Sequence, residues 1–392
     1  MKQYESYKDS GTPWIGQIPS HWEIKRIKYF AKIFGRIGFR GYTNSDLVNE
    51  GEGAITLSPS NIVNGKMDYS KCSYLSWSKY YESPEIMISN GDILFVKTAS
   101  VGKTAIVENL PMEATLNPQI VVLKDIKVNN RFLSYLMGTD LIDTQMRHSL
   151  GGSTIFTISQ HSIENYQVPI PPLAEQTAIA EYLDKKCGSI DKVIAAQKRR
   201  IALLDELKQS IITEAVTRGI NPNATLRDSG IDWIGKIPEH WEVKRYKNIM
   251  DLKTTPSNSD IKIGLENIES GSGMFVESES EFEGNGIQFK KGDIVYGKLR
   301  PYLRKVWLAE FEGNAVGDFF IFSAKKTVSN KFLQYLLLSD IFTSQTNGAT
   351  NGAKMPRVSS TFILTLKVAI PNFDEQLLIA DYIESKLTPI DS

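Results

Sequence analysis

Asp9-Ser10-Gly11-Thr12-Pro13-Trp14-Ile15-Gly16-Gln17-Ile18-Pro19-Ser20-His21-Trp22-Glu23-Ile24-Lys25-Arg26 returns as Asp228-Ser229-Gly230-Ile231-Asp232-Trp233-Ile234-Gly235-Lys236-Ile237-Pro238-Glu239-His240-Trp241-Glu242-Val243-Lys244-Arg245, with thirteen of eighteen positions identical. Chance does not produce that agreement, so the chain reads first of all as a tandem duplication. Three more pairs follow in the same order. Gly91-Asp92-Ile93-Leu94 matches Gly292-Asp293-Ile294-Val295, and Asn130-Arg131-Phe132-Leu133 matches Asn330-Lys331-Phe332-Leu333. Ile170-Pro171-Pro172-Leu173-Ala174-Glu175-Gln176 matches Ile370-Pro371-Asn372-Phe373-Asp374-Glu375-Gln376. The offset is 219 at the first pair and 200 at the last, so the first copy holds 19 extra residues, most of them between Phe30 and Gly91. The frame is shared and the interior differs.

Each copy reads as a linker, a mixed globular domain and a helix. Gly-Asp turns lead into short apolar runs at Ile93–Val96 and Ile294–Tyr296, which read as strands. Apolar residues recur at helical spacing over Phe132–Met146 and Phe332–Gln345. Pro171-Pro172 suits the first turn of a helix, and Asn372 with Glu375 three residues on resembles a capping box. Between Leu173 and about Thr217 there is no proline. Leu183, Ile190, Gln197, Leu204 and Ile211 recur every seven residues, with Cys187, Ile194, Ile201, Lys208 and Ala215 as the partner series. That is a coiled-coil seam on a rod of roughly 67 Å. Continued like the first copy to Gly219, the second would reach residue 419; it ends at Ser392, so its helix reads as truncated.

Composition bounds the function. The 392 residues suffice for two or three domains, and 41% apolar with 23% charged residues is ordinary for a globular chain. No run approaches the ~20 apolar residues of a membrane span, and the N-terminus lacks a signal-peptide core, which places the protein in the cytoplasm. Two cysteines, Cys72 and Cys187, make neither a disulfide framework nor a zinc site. Forty-five basic and 45 acidic residues exclude a surface coated in positive charge, though not a basic groove.

Catalytic constellations are missing. Ala99-Ser100-Val101-Gly102-Lys103-Thr104 ends like a phosphate-binding loop, but the required first glycine is Lys97. Gly35-Arg36-Ile37-Gly38-Phe39-Arg40-Gly41 has the wrong glycine spacing for a dinucleotide site and reads as a flexible basic loop. Asn117-Pro118-Gln119-Ile120 is not the aromatic cluster of an adenine methyltransferase. His21 and His240, each beside a tryptophan, read as structural, and His148 and His161 have no partner pattern. No metal site is expected.

Two matched segments suit nucleic acid. Lys298, Arg300, Tyr302, Arg304 and Lys305 follow the second copy's strand, with no acid between Asp293 and Glu310. The first copy has Lys97, Thr98, Ser100, Lys103 and Thr104 there. Arg and Lys contact guanine or phosphate, and Ser or Thr contact either, so unlike loops on like strands fit two readers of different bases. Just before each later helix, Gly152, Ser153 and Thr154 align with Gly352, Ala353 and Lys354, followed by Arg357. Solvated connecting loops remain an open alternative for both segments.

The Trp-Ile-Gly-x-Ile-Pro-x-His-Trp linker, the Gly-Asp-Ile strand entry and the Ile-Pro-x-x-x-x-Glu-Gln helix start, each present twice, resemble the specificity subunit of type I restriction–modification enzymes. The resemblance implies an α+β fold: two pseudo-twofold-related target-recognition domains separated by long coiled-coil helices. The domains are then 1–172 and 220–372, the latter including its linker, with spacer helices at 173–219 and 373–392. It implies a non-catalytic chain that reads a bipartite, asymmetric site in double-stranded DNA. Two methyltransferase subunits and the restriction (motor and nuclease) subunits would be its partners. No cofactor is expected in this chain, with S-adenosylmethionine, ATP and Mg on the partner subunits only. The competing reading is a duplicated protein-interaction scaffold that binds no DNA.

Overall fold

The computed structural model describes residues 4–149, 157–280, 282–350, 352 and 355–391. The chain divides into two compact units, Met1–Val193 and Ile194–Ser392.

In the first unit a four-stranded antiparallel sheet runs in the order Thr104–Ile106, Ile93–Val96, Ile120–Lys124, Lys32–Gly35. Ile93–Val96 is fully buried along its length, as expected of a strand covered on both faces. Alternation assigns the faces. Ile93, Phe95, Val121 and Leu123 pack with Phe132, Leu133 and Leu136 of the following helix, whereas Leu94, Val96, Ile120 and Val122 pack toward a second sheet. That second sheet has the order Ala114–Leu116, Gly53–Leu57, Ser73–Ser76, Leu47–Val48.

The second unit repeats the first sheet strand for strand: Val306–Leu308, Ile294–Gly297, Phe319–Ala324, Met250–Lys253. Ile294, Tyr296 and Phe322 again face helices, and Val295 and Ile321 face a second sheet. The second sheets differ. Here the order is Pro256–Ser257, Gly286–Phe289, Gly313–Ala315, Lys262–Ile263. The first unit's Leu47–Val48, the hairpin Ile62–Val63/Lys66–Met67 and Ser73–Ser76 occupy the stretch where the extra residues were expected.

Both strand entries work alike. Gly91 (φ +94°) and Gly292 (φ +90°) take the left-handed turn, and Asp92 and Asp293 accept the backbone N–H of Ser89 and Lys290. Lys124 balances the largely enclosed Asp92 carboxylate and Lys253 the buried Asp293 carboxylate. Burial still pushes the Asp92 carboxyl above its usual range.

Each expected helix after the sheet is two helices: Asn130–Met137 and Asp140–Ser149, then Asn330–Leu338 and Asp340–Gly348. Ser339 explains the second break, since its Oγ donates to Leu336 O and accepts from Phe342 N, ending one helix and capping the next. Thr139 Oγ1 likewise donates to Leu136 O. The stretch read as a flexible basic loop is also different. Arg36 is buried, its guanidinium donating to Leu116 O (2.9 Å) and Thr115 Oγ1 (3.0 Å) over the Tyr42 ring. A planar five-donor group satisfied on both edges is tolerated inside, so this arginine pins two segments together.

Leu173–Arg218 is one 46-residue helix. Its early residue Ala180 joins the first unit's core, and Ile212, Ala215 and Val216 join the second's. The seam read from the heptads is only partly covered: Ile190, Ile194 and Ile201 are 57%, 48% and 59% exposed. The apolar spacing there marks a face left open on this chain. The second copy's helix is Phe373–Asp391.

The linker motifs hold these helix starts. Glu175 meets His21 Nε2 (2.6 Å) and accepts from Trp22 Nε1 (3.0 Å) and the Tyr4 hydroxyl (3.1 Å). Glu375 meets His240 Nε2 (2.7 Å) and accepts from Trp241 Nε1 (3.1 Å). The capping box at Asn372 is therefore half realised: Asn372 Oδ1 accepts Glu375 N, but the Glu375 carboxylate turns to the linker. Gln176 and Gln376 complete each joint. Their amides donate to Pro171 O and Pro371 O and accept from Asn129 N and Ser329 N.

Candidate nucleic-acid interface

The two candidate segments of each copy are neighbours in space. In the first unit Lys97 O accepts Ile158 N (2.9 Å), and Thr98 and Thr157 form an antiparallel bridge. In the second, Lys298 O accepts Val358 N (3.2 Å), Leu299 bridges Arg357, and Arg300 N donates to Pro356 O (2.8 Å). One continuous edge thus replaces two separate loops. The next residue is left-handed in both copies, Ala99 at φ +65° and Arg300 at φ +51°. Neither is glycine. Such conformations cost of order 1–3 kcal/mol and persist where the surroundings impose them, which is common at functional sites.

A third strand end completes each edge. Lys97 N donates to Gln119 O (2.8 Å) and Lys298 N donates to Asp318 O (2.9 Å). Asp318 then accepts from Arg357 Nη2 (3.0 Å) and lies 3.5 Å from Lys298 Nζ, which also sits over the Phe320 ring. Gln119 instead accepts from Asn117 Nδ2 (3.0 Å) and donates its own N–H to Asn117 Oδ1 (3.0 Å). Sequence alone singles out neither residue for DNA, since Gln119 stands only in the stretch that fails as a methyltransferase motif and Asp318 in no motif. Their signal was available: each immediately precedes a strand shared by the two copies.

The remaining residues divide. Ser100, Lys103, Arg300 and Tyr302 are exposed along the edge, and Lys97 and Thr98 are half-buried. Thr104 turns inward, its hydroxyl donating to Leu94 O (2.9 Å). Arg304 pairs with Asp340 of the following helix. Lys305 donates to Leu265 O (2.8 Å) and Ile268 O (2.6 Å), and desolvation holds its ammonium below the usual lysine range. Gly152, Ser153, Thr154 and Lys354 lie outside the described residues. Among the described residues no group of three His, Cys, Asp or Glu is placed to hold a metal, and no helix is long and apolar enough to cross a membrane.

A duplicated sheet-and-helix unit that presents the same backbone edge twice, with different side chains on each, defines a recognition protein. Residues 19–204 match the type I restriction modification DNA specificity domain. The specificity subunit of the type I restriction enzyme MjaVIII from Methanocaldococcus jannaschii is 24% identical over 94% of this chain and 87% of its own length. That of EcoDI from Escherichia coli is 25% identical over 67% of this chain and 64% of its own length. A chain in a solved structure of a type I restriction–modification system, described for its assembly and conformational transition, superposes with a TM-score of 0.64 over 95% of this chain and 92% of that one, at 15% identity. Residues 19–204 thus carry a DNA specificity domain of the type I restriction–modification kind, and the chain as a whole is similar to type I specificity subunits. These subunits are non-catalytic, catalysis lying on partner subunits, and the scaffold that binds no DNA is not supported.

Proposed function

We propose that this chain reads a bipartite, asymmetric site in double-stranded DNA through its two edges, one half-site per copy. The observation that carries this reading is the matched bridge, Thr98 to Thr157 and Leu299 to Arg357, which sets similar backbone under unlike side chains. Backbone likeness fits a common way of meeting a groove, and side-chain difference fits two different half-sites. Two methyltransferase subunits dock on the chain, and restriction subunits join them. S-adenosylmethionine, ATP and Mg belong to those partners, and the assembly works in the cytoplasm. Long-read mapping of methylated bases, in cells supplying the partner subunits, tests the proposal. Replacing residues 228–372 by another recognition domain should change one half-site and leave the other intact. A methylation pattern indifferent to that exchange would refute it.

A further inference from the structure

We propose that Gln119 and Asp318 are specificity-determining residues, Gln119 selecting an A·T pair in one half-site and Asp318 a G·C pair in the other. The inference rests on the DNA-reading role proposed above and assigns a chemistry to one position of each edge.

The two residues are structural equivalents. Each gives its carbonyl to the lysine that leaves the shared strand, Lys97 or Lys298, and that lysine's own carbonyl holds the second loop through Ile158 or Val358. Their side chains therefore spring from one backbone position at the meeting point of all three segments. Both are partly exposed, with the Asp318 side chain at 25%.

The chemistry at that position is opposite in the two copies. Gln119 has one oxygen lone pair engaged by Asn117 and keeps a second lone pair and an NH2 group. A carboxamide that donates and accepts side by side matches the N7 acceptor and N6 donor of adenine. The contact from Asn117, together with the Gln119 N–H bound back to Asn117 Oδ1, fixes which edge of the amide faces outward.

Asp318 is acceptor-only when ionised, and a lone carboxylate beside a phosphate backbone would be repelled. It is not alone. Lys298 and Arg357 both face it, so the trio carries a net charge of +1 and remains attractive to DNA. An aspartate accepts from cytosine N4, and arginine donates bidentately to guanine O6 and N7. The trio thus carries the complementary groups for one G·C pair, with Asp318 aligning the Arg357 fork. A plain ion pair that only stiffens the loop would have no need of a carboxamide pair at the equivalent place.

The test uses the chain assembled with its partner subunits, comparing Asp318→Asn and Gln119→Glu with wild type by methylation mapping and by binding to duplexes altered one base pair at a time. Each variant should relax or switch one base pair of a single half-site, with discrimination there falling about tenfold or more. The other half-site should keep its sequence. Uniformly weaker binding with every base preference intact would overturn the proposal, leaving the pair as props for phosphate-binding cations. If Asp318→Asn yields no folded chain, Gln119→Glu decides by the same criterion. Loss of the DNA-reading role itself would show differently, as a motif that survives exchange of residues 228–372.

Discussion

Arg300 and Lys305 lie five residues apart in a run that reads as uniformly basic, and they have opposite surroundings. Lys305 satisfies the carbonyls of Leu265 and Ile268, whereas Arg300 is exposed at a left-handed position on the edge. Lys305→Met strands two partly buried acceptors, which should destabilise the second unit by about 1–3 kcal/mol in thermal or denaturant melts. It should leave the salt dependence of DNA binding unchanged. Arg300→Ala should do the reverse, leaving the melt intact and lowering the slope of log K against log salt by about 1. Exchanged phenotypes would show that the assignment of these two cations is backwards. Sequence supplied the run but not this division, because which cation turns inward depends on carbonyls some 40 residues away. Arg36 makes the same point more sharply. It sits among glycines that suggest a mobile loop, yet Thr115, Leu116 and Tyr42 enclose it.

At the scale of elements, local chemistry was legible and pairing was not. The Gly-Asp turns, the strands they feed and the start of the 46-residue helix all follow from short-range rules. The breaks at Thr139 and Ser339 were hidden, because a hydroxyl can cap a helix or ride on one. The repeated His-Trp and Glu-Gln motifs were visible as identities, but their meeting some 150 residues apart needed the fold. That meeting has a pH signature in the first copy. Burial works against the ionised Glu175 carboxylate, but hydrogen bonds from His21, Trp22 and Tyr4 outweigh it and hold the carboxyl below its ordinary value of 4.5. A carboxyl whose folded pKa is depressed contributes stability that is full at neutral pH, and that is lost as pH falls below the unfolded value. The joint between linker and helix should therefore loosen as pH drops through about 4.5 and below. The indole N–H resonance of Trp22 should shift over that range, and Glu175→Gln should abolish the titration. An unaltered titration in the variant would assign the shift to another group.

At the scale of the molecule, duplication was plain because two copies carry the same frame, and the structure places the differences where each copy is free to vary. The first sheet and its helices recur strand for strand, while the second sheets differ in order although each holds one parallel pair, Gly53–Leu57 with Ala114–Leu116 and Lys262–Ile263 with Gly313–Ala315. One continuous helix, Leu173–Arg218, belongs to both units, and its middle residues Ile190, Ile194 and Ile201 join neither core. Residues inserted there disturb no packed interior. If the two edges read two half-sites, the length of this helix sets the gap between them. One extra heptad beside Ile201 adds about 10.5 Å of helix while turning its far end by only about 20°. Against a rise of 3.4 Å per base pair, the gap should grow by about three base pairs. Mapped motifs should show the wider gap with both half-sites unchanged. An unchanged gap would mean that something other than the helix fixes the spacing, and altered half-sites would mean that the helix shapes the reading edges themselves.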